Sequence, residues 1–540
     1  MIRFFKKHQD QLGLLLLWLL VIVIINPIGD FPLNDDWCYG KSVKTLLEEG
    51  YLKLYNWGEM TLVSHVYWGY FFTKLFGFSF TVLRWSTLLM GFATILGIYE
   101  LFKLARVTRW MNLFGTVLCM MNPIFLSLSF SFMTDVPFYC MTVWCFYFYA
   151  KAINTENLQS IFWAVFFCCW AFLIRQLAWV FPVVWLITVL LTEKRTFKNM
   201  AKAILPLFAL IIFAMLFSYF MESNDLLQER YNSKFNLLLE NIRNIDKKLI
   251  ILILSYFFRC LAYIGFLLTP ILIFYIGRYT FKGYKIWAVL WTVLITGILI
   301  KIGKVLPSLD NIWIDFGVGP TTLYDHAGNF TTSPAPRAPE LFWQIVTAIG
   351  VFSSVALLFH IRVMVVSVFN KTVVSPIVLL SFVFFTVYLT PFLLVGVYDR
   401  YLLPLFPIAI VFLAANSNKI PKQRYQYVAF AFLGALTWFS VCATHDYLSW
   451  NRVRWDALNE LMASGISENH INGGVEFVTT YHFSEEQEKW WENVTPIYSL
   501  VFKPNKVDQV IKAYEYSRWL PGKGEMYLMF NEGLAKKVVK

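Results

Sequence analysis

The sequence predicts a polytopic α-helical membrane protein with a small C-terminal α/β domain outside the membrane. Of its 540 residues, 58% are apolar and 15% are charged, whereas soluble domains contain about 45–50% and about 25%. The apolar residues form long runs, as membrane-spanning helices require. Such a composition excludes a soluble globular enzyme, a disordered chain and a coiled coil.

The apolar runs predict about thirteen membrane spans, since a spanning helix needs roughly 20 mostly apolar residues. The first run follows basic residues and lacks a small-residue cleavage site, so we interpret it as a retained helix and not as a signal peptide. The predicted spans are Leu12–Ile28, Ser79–Lys103, Trp110–Phe130, Asp135–Ala150, Gln159–Leu173, Leu177–Leu191, Ala201–Phe220, Leu249–Ile276, Ile286–Ile302, Leu341–His360, Val373–Val397, Leu402–Ala415 and Tyr427–Thr444.

The positions of Lys and Arg predict how these spans are oriented. The net charge of +12 arises from basic residues that concentrate in alternate loops, which is typical of loops on the cytoplasmic side. The remaining loops and the C-terminal tail are then outside, which predicts a multi-pass protein of the plasma (inner) membrane. No basic run is interleaved with exposed aromatic residues, so we expect no nucleic-acid partner.

Two domains are predicted, a transmembrane domain over residues 1–445 and an outer α/β domain over residues 446–540. The first outer loop, 29–78, mixes charged and aromatic residues, which is typical of helices that lie in the membrane interface. A second long outer loop, 303–340, is rich in Pro, Gly and Thr and is expected to be ordered.

The polar tail contains structural signals of its own. Arg452–Ser464 has helical spacing, and Gly473–Gly474 marks a turn. Val475–Thr480 and Glu525–Phe530 predict strands. A segment of about ninety residues is long enough to form a small single core.

Two adjacent carboxylates, Asp35 and Asp36, follow the first span directly. A carboxylate at the membrane surface could accept a proton from an attacking hydroxyl group. The pair could also bind a divalent cation. A structural interpretation is also open, in which the segment is a solvated loop and Asp35 is a helix N-cap.

A third carboxylate, Asp135, lies at the outer junction of two predicted spans. It is placed to cap the helix that follows, with Pro137 in the first turn. A second role facing a cavity is also open, because ionisable groups at this depth are costly and usually functional.

Two short polar turns interrupt the apolar sequence on the predicted outer side. Arg175 and Gln176 divide one long apolar stretch, and Asp399-Arg400-Tyr401 forms another turn. Arg175 could extend to lipid head groups or bind a lipid phosphate through its two-pronged guanidinium. Asp399 and Arg400 could form a surface pair of little energetic value, or Arg400 could be a second phosphate contact.

Glu59 and His65 flank the return of the chain toward the second span. Either could contact a substrate, although a lone His is more often a hydrogen-bonded interface residue.

These motifs together resemble membrane glycosyltransferases of the GT-C superfamily, in particular the bacterial branch of glycosyltransferase family 39. That branch is related to protein O-mannosyltransferases and lipid A aminoarabinose transferases. Two departures are present: Asp36 stands where the family usually has Glu, and His65-Val66-Tyr67 stands where His-Pro-Pro is frequent. The stretches that carry the resemblance are Asp35-Asp36-Trp37-Cys38-Tyr39-Gly40, Leu75-Phe76-Gly77-Phe78 with Leu83-Arg84, Thr134-Asp135-Val136-Pro137, and Asp399-Arg400-Tyr401-Leu402-Leu403-Pro404.

The resemblance implies a GT-C fold and transfer of a sugar from a polyprenyl-phosphate donor, with inversion at the anomeric carbon. It implies that Asp35 is the general base, with Asp36 and Asp135 orienting the acceptor or Asp35. It implies that the lipid phosphate is bound by Arg175, Gln176, Arg400 and Tyr401. The residues expected at the acceptor or substrate are Glu59, His65 and Asp399.

The expected partners are a polyprenyl-phosphate-linked sugar, membrane lipids and an acceptor outside the membrane, which is a lipid, a glycan or a protein. No cofactor is expected to be required, because two Arg residues can hold the leaving phosphate; Mg²⁺ or Mn²⁺ stays open as an alternative. Two other functions are carried forward. A transporter or flippase for lipid-linked sugars would place charges near the bilayer midplane, and a non-catalytic envelope assembly partner would tolerate loss of Asp35.

Overall fold

The computed structural model describes residues 7–155, 157–193, 196–276, 285–309, 311–314, 338–369, 375–414, 423–487, 492 and 494–538. Most of the loop predicted over 303–340 therefore lies outside the described residues. The fold class predicted from the sequence is confirmed, since the described chain is largely helical with one small sheet near its C-terminus.

The helices follow one another with short connections. They are α1 (Gln9–Ile25), α2 (Asp36–Glu48), α3 (Val63–Phe76), α4 (Phe80–Leu104), α5 (Arg109–Met120), α6 (Pro123–Ser129), α7 (Asp135–Thr155), α8 (Leu158–Phe172), α9 (Val180–Thr192), α10 (Phe197–Ser223), α11 (Ser233–Arg243), α12 (Lys247–Ile276), α13 (Lys285–Lys301), α14 (Glu340–Phe369), α15 (Pro376–Val395), α16 (Leu405–Ala414), α17 (Gln423–Ala463), α18 (Val475–His482) and α19 (Glu532–Val538).

Each predicted span coincides with a helix or with a pair of helices. In the described part of the chain, six helices are long and apolar enough to cross a membrane, namely α4, α10, α12, α14, α15 and α17. The bent pair α5 and α6 would make a seventh. Helices α1, α8, α9 and α13 are apolar but shorter, so the number of about thirteen spans stays a prediction.

The bend of 60° between α5 and α6 has a local cause. Pro123 has no backbone N–H to continue the hydrogen-bond ladder of α5, and it occupies the first position of α6, where that loss costs nothing. The Asn122 side chain caps α6 by accepting from the Ile124 N–H at 3.0 Å. The sequence Asn-Pro therefore ends one helix and starts the next.

The crossing of α12 and α14 depends on glycine. A Cβ at Gly265 would collide with the Gly350 carbonyl oxygen and with Ser354, so the two backbones approach closely there. Beside this contact the hydroxyls of Thr269 and Ser353 are 2.8 Å apart. Small residues at a helix crossing are typical of membrane proteins, where packing drives association.

Helix α17 is 41 residues long and runs through the predicted domain boundary at residue 445. It confirms the helical spacing at Arg452–Ser464 almost to its end. The sheet beyond it contains β1 (Ile471–Asn472), β2 (Tyr498–Val501), β3 (Gln509–Glu515) and β4 (Glu525–Phe530) in the order β1-β2-β4-β3. Strand β1 is parallel to β2, and the other pairs are antiparallel.

One strand prediction is confirmed and the other is wrong. Strand β4 has the predicted bounds Glu525–Phe530. Val475–Thr480, however, lies in helix α18, which starts after Gly474 at φ +93°. Its consecutive residues Phe477 and Val478 are both buried, which suits one face of a helix and not the alternating faces of a strand. Tertiary packing therefore outweighs the preference of the Val and Thr residues for strands.

Replacement of Gly265 by Leu is expected to destabilise the helix crossing by about 1–3 kcal/mol or more, because backbone on the facing helix leaves no room for the side chain. The measurement is thermal unfolding of the purified protein in detergent. Gly297→Leu is the matched control, since a Cβ at Gly297 meets nothing within 4 Å. Equal melting temperatures for the two variants would contradict this prediction.

Candidate active site

Four polar segments predicted to share the outer side of the membrane meet at one place. They are the start of α2, the turn before α7, the turn before α9 and the turn before α16. They bring together Asp35, Asp135, Arg175 and Arg400, which contact one another through charge pairs of 2.9 to 3.8 Å. The sequence separates these residues widely, so tertiary structure alone makes them neighbours.

Arg400 lies at the centre of this cluster, in a single 3₁₀ turn over Asp399–Leu402. Its side chain is 6% exposed, with Nη1 3.8 Å from Asp35 Oδ2 and Nε 3.8 Å from Asp135 Oδ1. The guanidinium lies 5.1 Å from the centre of the Tyr398 ring and 5.7 Å from that of Tyr401. Its Nε and Nη1 have no hydrogen-bond partner among the described residues. The neighbouring acids hold its pKa above the usual value despite burial.

Arg175 is fixed more tightly than Arg400. Its Nε and Nη2 both donate to Thr134 Oγ1, at 3.1 and 2.6 Å, and Nη2 lies 2.9 Å from Asp135 Oδ1. The guanidinium also lies 5.7 Å from the ring centres of Phe138 and Tyr401. Arg175 is 7% exposed, so it is buried inside the protein and does not extend to lipid head groups.

Asp135, which the sequence predicted to be the N-cap, is instead the first residue of α7. Its carboxylate is buried and makes charge contacts with Arg175 and Arg400, but it accepts no hydrogen bond in the described structure. The preceding residue, Thr134, starts the helix by accepting the Phe138 N–H at its carbonyl oxygen. Asp135 therefore lies against both cations and does not cap the helix.

Asp35 occupies the position before α2, but its side chain makes no capping hydrogen bond. Instead Oδ1 accepts the indole N–H of Trp57 at 3.0 Å, and Oδ2 faces Arg400. The side chain keeps 26% of its surface exposed. Asp35 is thus the most open of the clustered acids, which favours the proposed base over the cap.

Asp36 points away from Asp35 and is fully buried. It accepts the N–H of Leu33 at 2.5 Å and that of Phe132 at 3.0 Å, one on each oxygen. Burial raises its pKa to about 7, against the opposing effects of Arg84 and these two N–H groups. Asp36 therefore joins the start of α2 to the turn before α7, which supports a role in orienting Asp35.

Gln176 and Tyr401 follow Arg175 and Arg400 directly in the sequence and lie beside the cluster. The Gln176 amide donates to the carbonyl oxygens of Glu59 and Tyr231, at 3.3 and 3.2 Å. The Tyr401 ring stacks on Phe392 with ring centres 4.7 Å apart, and its centre is 5.7 Å from each of the two guanidinium groups.

Two residues expected at the acceptor have structural partners instead. His65 is 1% exposed and stacks on the Phe132 ring at 4.0 Å, and its Nε2 contacts the Phe132 carbonyl oxygen at 3.0 Å. Burial lowers its pKa to about 4, so the ring is neutral and Nε2 carries the proton that it donates. His65 is therefore a packing residue.

Asp399 is the second of these two residues. It is fully buried, and its oxygens accept the backbone N–H groups of Asn311, Ile312 and Trp313 at 2.5 to 3.1 Å. It does not pair with Arg400, and it anchors the described end of the long outer loop. Burial raises its pKa to about 6, although these N–H groups favour the charged form.

Glu59 lies at the edge of the cluster and is still available to a substrate. Its carboxylate is 3.4 Å from Lys234 Nζ, in a pair where both side chains are substantially exposed. Such pairs are weak, so an incoming polar group could displace Lys234.

Two functional contacts were missed by sequence reasoning, those of Trp57 and Thr134. Thr134 is part of the Thr134-Asp135-Val136-Pro137 stretch, which is explained more simply as the start of a helix. Trp57 is one of 21 Trp residues, and nothing in its local sequence distinguishes it. The available signal is chemical: a partly buried indole N–H usually has a hydrogen-bond acceptor, and the first outer loop that contains Trp57 also contains carboxylates.

The adjacent carboxylates do not form a shared cation site. Asp35 and Asp36 diverge, one toward Trp57 and Arg400 and the other toward two backbone N–H groups. Across the described residues, no group of three His, Cys, Asp or Glu side chains is arranged to hold a metal ion. Whether the reaction needs a divalent cation stays a prediction.

Comparison with known families supports the resemblance found in the sequence. Residues 65–219 match the family model described as dolichyl-phosphate-mannose-protein mannosyltransferase. The match confirms the resemblance and the glycosyltransferase class over the segment that contains Asp135, Arg175 and Gln176. Asp35 and Arg400 lie outside that segment. None of the curated proteins matches the chain.

The chain is also similar to solved structures at low sequence identity. One is the archaeal oligosaccharyltransferase AglB from Archaeoglobus fulgidus in complex with an inhibitory peptide and a dolichol-phosphate, with 13% identity and a TM-score of 0.42 over 82% of this chain and 56% of that one. This chain therefore spans little more than half the length of AglB. Another is ArnT from Cupriavidus metallidurans bound to undecaprenyl phosphate, with 12% identity and a TM-score of 0.39 over 97% and 99%.

Replacement of Thr134 by Val is expected to lower turnover by about fivefold to about 150-fold. The change keeps the shape but leaves two buried N–H groups of Arg175 without their acceptor, a loss of about 1–3 kcal/mol where 1.4 kcal/mol is a factor of ten. The measurement is the rate of sugar transfer in membrane vesicles at matched protein level. Thr134→Ser restores the hydroxyl and is expected to restore the rate; a silent Thr134→Val would show that Arg175 needs no such anchor.

Asp399 is expected to make stability depend on pH. Its pKa is about 6 in the folded chain and about 3.9 when unfolded, so between these values the folded chain alone keeps the proton. Stability must then fall as pH rises from about 4 to about 7. Asp399→Asn cannot ionise, so the stability advantage of the wild type over this variant shrinks across that window. Thermal unfolding in detergent at several pH values checks this, and a constant or growing advantage would refute it.

Proposed function

We propose that the chain is an integral membrane glycosyltransferase that moves a sugar from a polyprenyl-phosphate donor to an acceptor outside the membrane, with inversion. The observation that carries the proposal is the buried guanidinium of Arg400. Two of its nitrogens lack hydrogen-bond partners among the described residues, and its nearest carboxylate oxygens are 3.8 Å away. Charge-assisted hydrogen bonds are normally about 2.7–2.9 Å long, so this cation is available to a stronger anionic ligand.

A phosphate is the anion that suits this site. A guanidinium binds phosphate oxygens through two parallel N–H groups, and Arg175 supplies a second fixed positive charge nearby. The aromatic ring of Tyr401 lies 5.7 Å from each of the two guanidinium groups, so both cations have an aromatic neighbour. Fixed cations in a site with little water stabilise a leaving group strongly, because they need no reorganisation as charge develops.

Asp35 is the base in this proposal. The acceptor hydroxyl attacks the anomeric carbon, its oxygen forms the new glycosidic bond, and its proton passes to Asp35. The bond from the anomeric carbon to the phosphate oxygen breaks, and the electron pair leaves with the polyprenyl phosphate. Attack opposite the leaving phosphate inverts the configuration. Of the two clustered acids, Asp35 is the one whose side chain is partly exposed, at 26% against 2% for Asp135.

Proton transfer and phosphate departure support each other electrostatically. Before reaction, Asp35 and Asp135 together balance the charges of Arg175 and Arg400. Once Asp35 takes the proton it is neutral, so Arg400 loses one competing anion when the phosphate gains negative charge. The same proton transfer therefore activates the nucleophile and strengthens the binding of the leaving group.

The other residues act around this pair. Asp135 keeps the two guanidinium groups together, and Asp36 fixes the start of the helix that presents Asp35. Gln176, Tyr401 and Glu59 remain candidates for hydrogen bonds to the donor or acceptor. His65 and Asp399 are assigned to the scaffold. A location in the plasma membrane, with this site and the C-terminal domain facing outward, belongs to the same proposal.

Transport is less well supported by the arrangement of charges. The bent pair α5 and α6 is a broken helix of the kind that transporters use, but no charged residue stands at its break. The clustered charges instead lie at helix ends and turns. The experiment below separates transfer from transport and from a purely structural role.

A strain that lacks this chain is expected to lose a single sugar from one envelope molecule and to accumulate a lipid-linked sugar. Wild type should restore the sugar, and Asp35→Asn should not, because an amide cannot take the proton. Mass spectrometry of envelope glycans and of the polyprenyl-phosphate-sugar pool measures both. Asp456→Asn, an exposed carboxylate on α17, is the control and should restore transfer. Full restoration by Asp35→Asn would overturn the proposed base.

A further inference from the structure

The residue before the proposed base is held by two distant parts of the chain. Asn34 has a left-handed backbone, with φ +58°, a conformation that Asn tolerates better than most residues. Its N–H donates to Glu476 Oε1 at 3.3 Å, and its side-chain amide donates to Asn311 Oδ1 at 3.2 Å. The turn that aims Asp35 is therefore fixed from outside its own loop.

Glu476 is itself held rigidly within the C-terminal domain. Its other oxygen accepts from Arg454 Nη2 at 2.9 Å, and Arg454 is fully buried. Arg454 also donates to the Gly473 carbonyl oxygen at 2.7 Å and to Asn451 Oδ1 at 3.1 Å. These contacts join α17, the Gly473 turn and α18 into one unit that carries the Glu476 carboxylate.

The second contact of Asp35 leads to the same domain. The indole N–H of Trp57 holds Asp35 Oδ1, and the Trp57 ring packs edge-on against Phe483, with ring centres 5.9 Å apart. Beside it, the Asn56 N–H donates to Glu485 Oε1 at 2.7 Å, and Lys53 Nζ lies 3.3 Å from Glu485 Oε2. The segment after α18 is thus packed against and hydrogen-bonded to the loop that carries Trp57.

We propose that the C-terminal domain positions the catalytic base, through Glu476 on Asn34 and through Phe483 and Glu485 on the Trp57 loop. This inference rests on the proposed function, since it takes Asp35 as the base. The three residues of the domain contact neither Asp35 nor the guanidinium groups in the described structure, so they are positioning residues. The domain is then a part of the catalytic apparatus.

These contacts matter for the reaction because Asp35 faces a cation, Arg400. At 3.8 Å from Arg400 Nη1, its carboxylate is about 1 Å beyond a close charge-assisted contact. Trp57 and the fixed Asn34 turn hold it at that distance. Without them Asp35 closes on Arg400, which blocks the base and occupies the phosphate site. A shift of about 1 Å in a reacting group can cost about a hundredfold in rate.

Glu485 offers the sharpest test, because substitution can either remove or keep the side-chain oxygen that accepts the Asn56 N–H. Glu485→Ala loses the acceptor for the Asn56 N–H, whereas Glu485→Gln keeps it and loses only a partly exposed ion pair, which is worth little. Glu486→Ala is the matched control, an exposed neighbour. Trp57→Phe is a second variant, which keeps a ring on Phe483 and removes the N–H that holds Asp35.

The assay uses vesicles from the deletion strain, each carrying one variant of the full chain. The probe is the lipid-linked sugar extracted from the strain with Asp35→Asn, added in increasing amounts. Glu485→Ala and Trp57→Phe are expected to lower the maximal rate at least tenfold, with half-saturation changed less than about threefold, the pattern of lost transition-state alignment. Glu485→Gln and Glu486→Ala should keep the wild-type rate, and all four should keep the wild-type melting temperature.

Other results separate the two proposals. If Asp35→Asn is inactive while Glu485→Ala and Trp57→Phe keep the wild-type rate, positioning by the domain is overturned and the proposed function stands. If Glu485→Gln fails to rescue and melting falls with the rate, the contact is merely structural and the inference is wrong. An active Asp35→Asn overturns the proposed base, and with it the inference.

Discussion

The structure depends above all on a buried positive charge. Arg400 is enclosed at the meeting point of four separate segments, and a buried cation is tolerated only when anions or aromatic rings compensate it. Asp135, Asp35, Tyr398 and Tyr401 lie close to it, yet no group in the described part of the chain accepts a hydrogen bond from its Nε or Nη1. The site is thus balanced in charge but unsatisfied in hydrogen bonding, the state expected of a cation that awaits an anion.

The two motifs of adjacent polar residues use their members for opposite purposes. In Asp35-Asp36, the Asp35 carboxylate faces the site, whereas the Asp36 carboxylate accepts the backbone N–H groups of Leu33 and Phe132. In Asp399-Arg400, the Asp399 carboxylate accepts the backbone N–H groups of residues 311–313, and the Arg400 guanidinium faces the site. Consecutive residues in a turn point in different directions, so one residue can fix the backbone that presents its neighbour. This arrangement gives the working groups rigid supports.

The supports also connect the site to the rest of the outer surface. Asn311, whose N–H is held by Asp399, accepts from Asn34 beside Asp35, so the long outer loop bridges the base and the proposed phosphate site. Glu476 and Glu485 add contacts from the C-terminal domain. The long outer loop and the C-terminal domain thus contact the first outer loop through hydrogen bonds of 2.7 to 3.3 Å.

The sequence by itself determined the fold class, the helices of the predicted spans and the residues of the central cluster. Long apolar runs can form little else in a membrane, and charges in such a chain are too costly to be accidental. Tertiary structure decided how those residues divide the work. Nothing local distinguishes Asp35 from Asp36, or marks Trp57, Thr134 and Glu476, because their roles come from partners up to 442 positions away. Likewise Val475–Thr480 became a helix, since burial of one face against the domain core outweighs a weak local preference. Composition fixes where a chain can lie, and only packing fixes which polar atoms remain free to react.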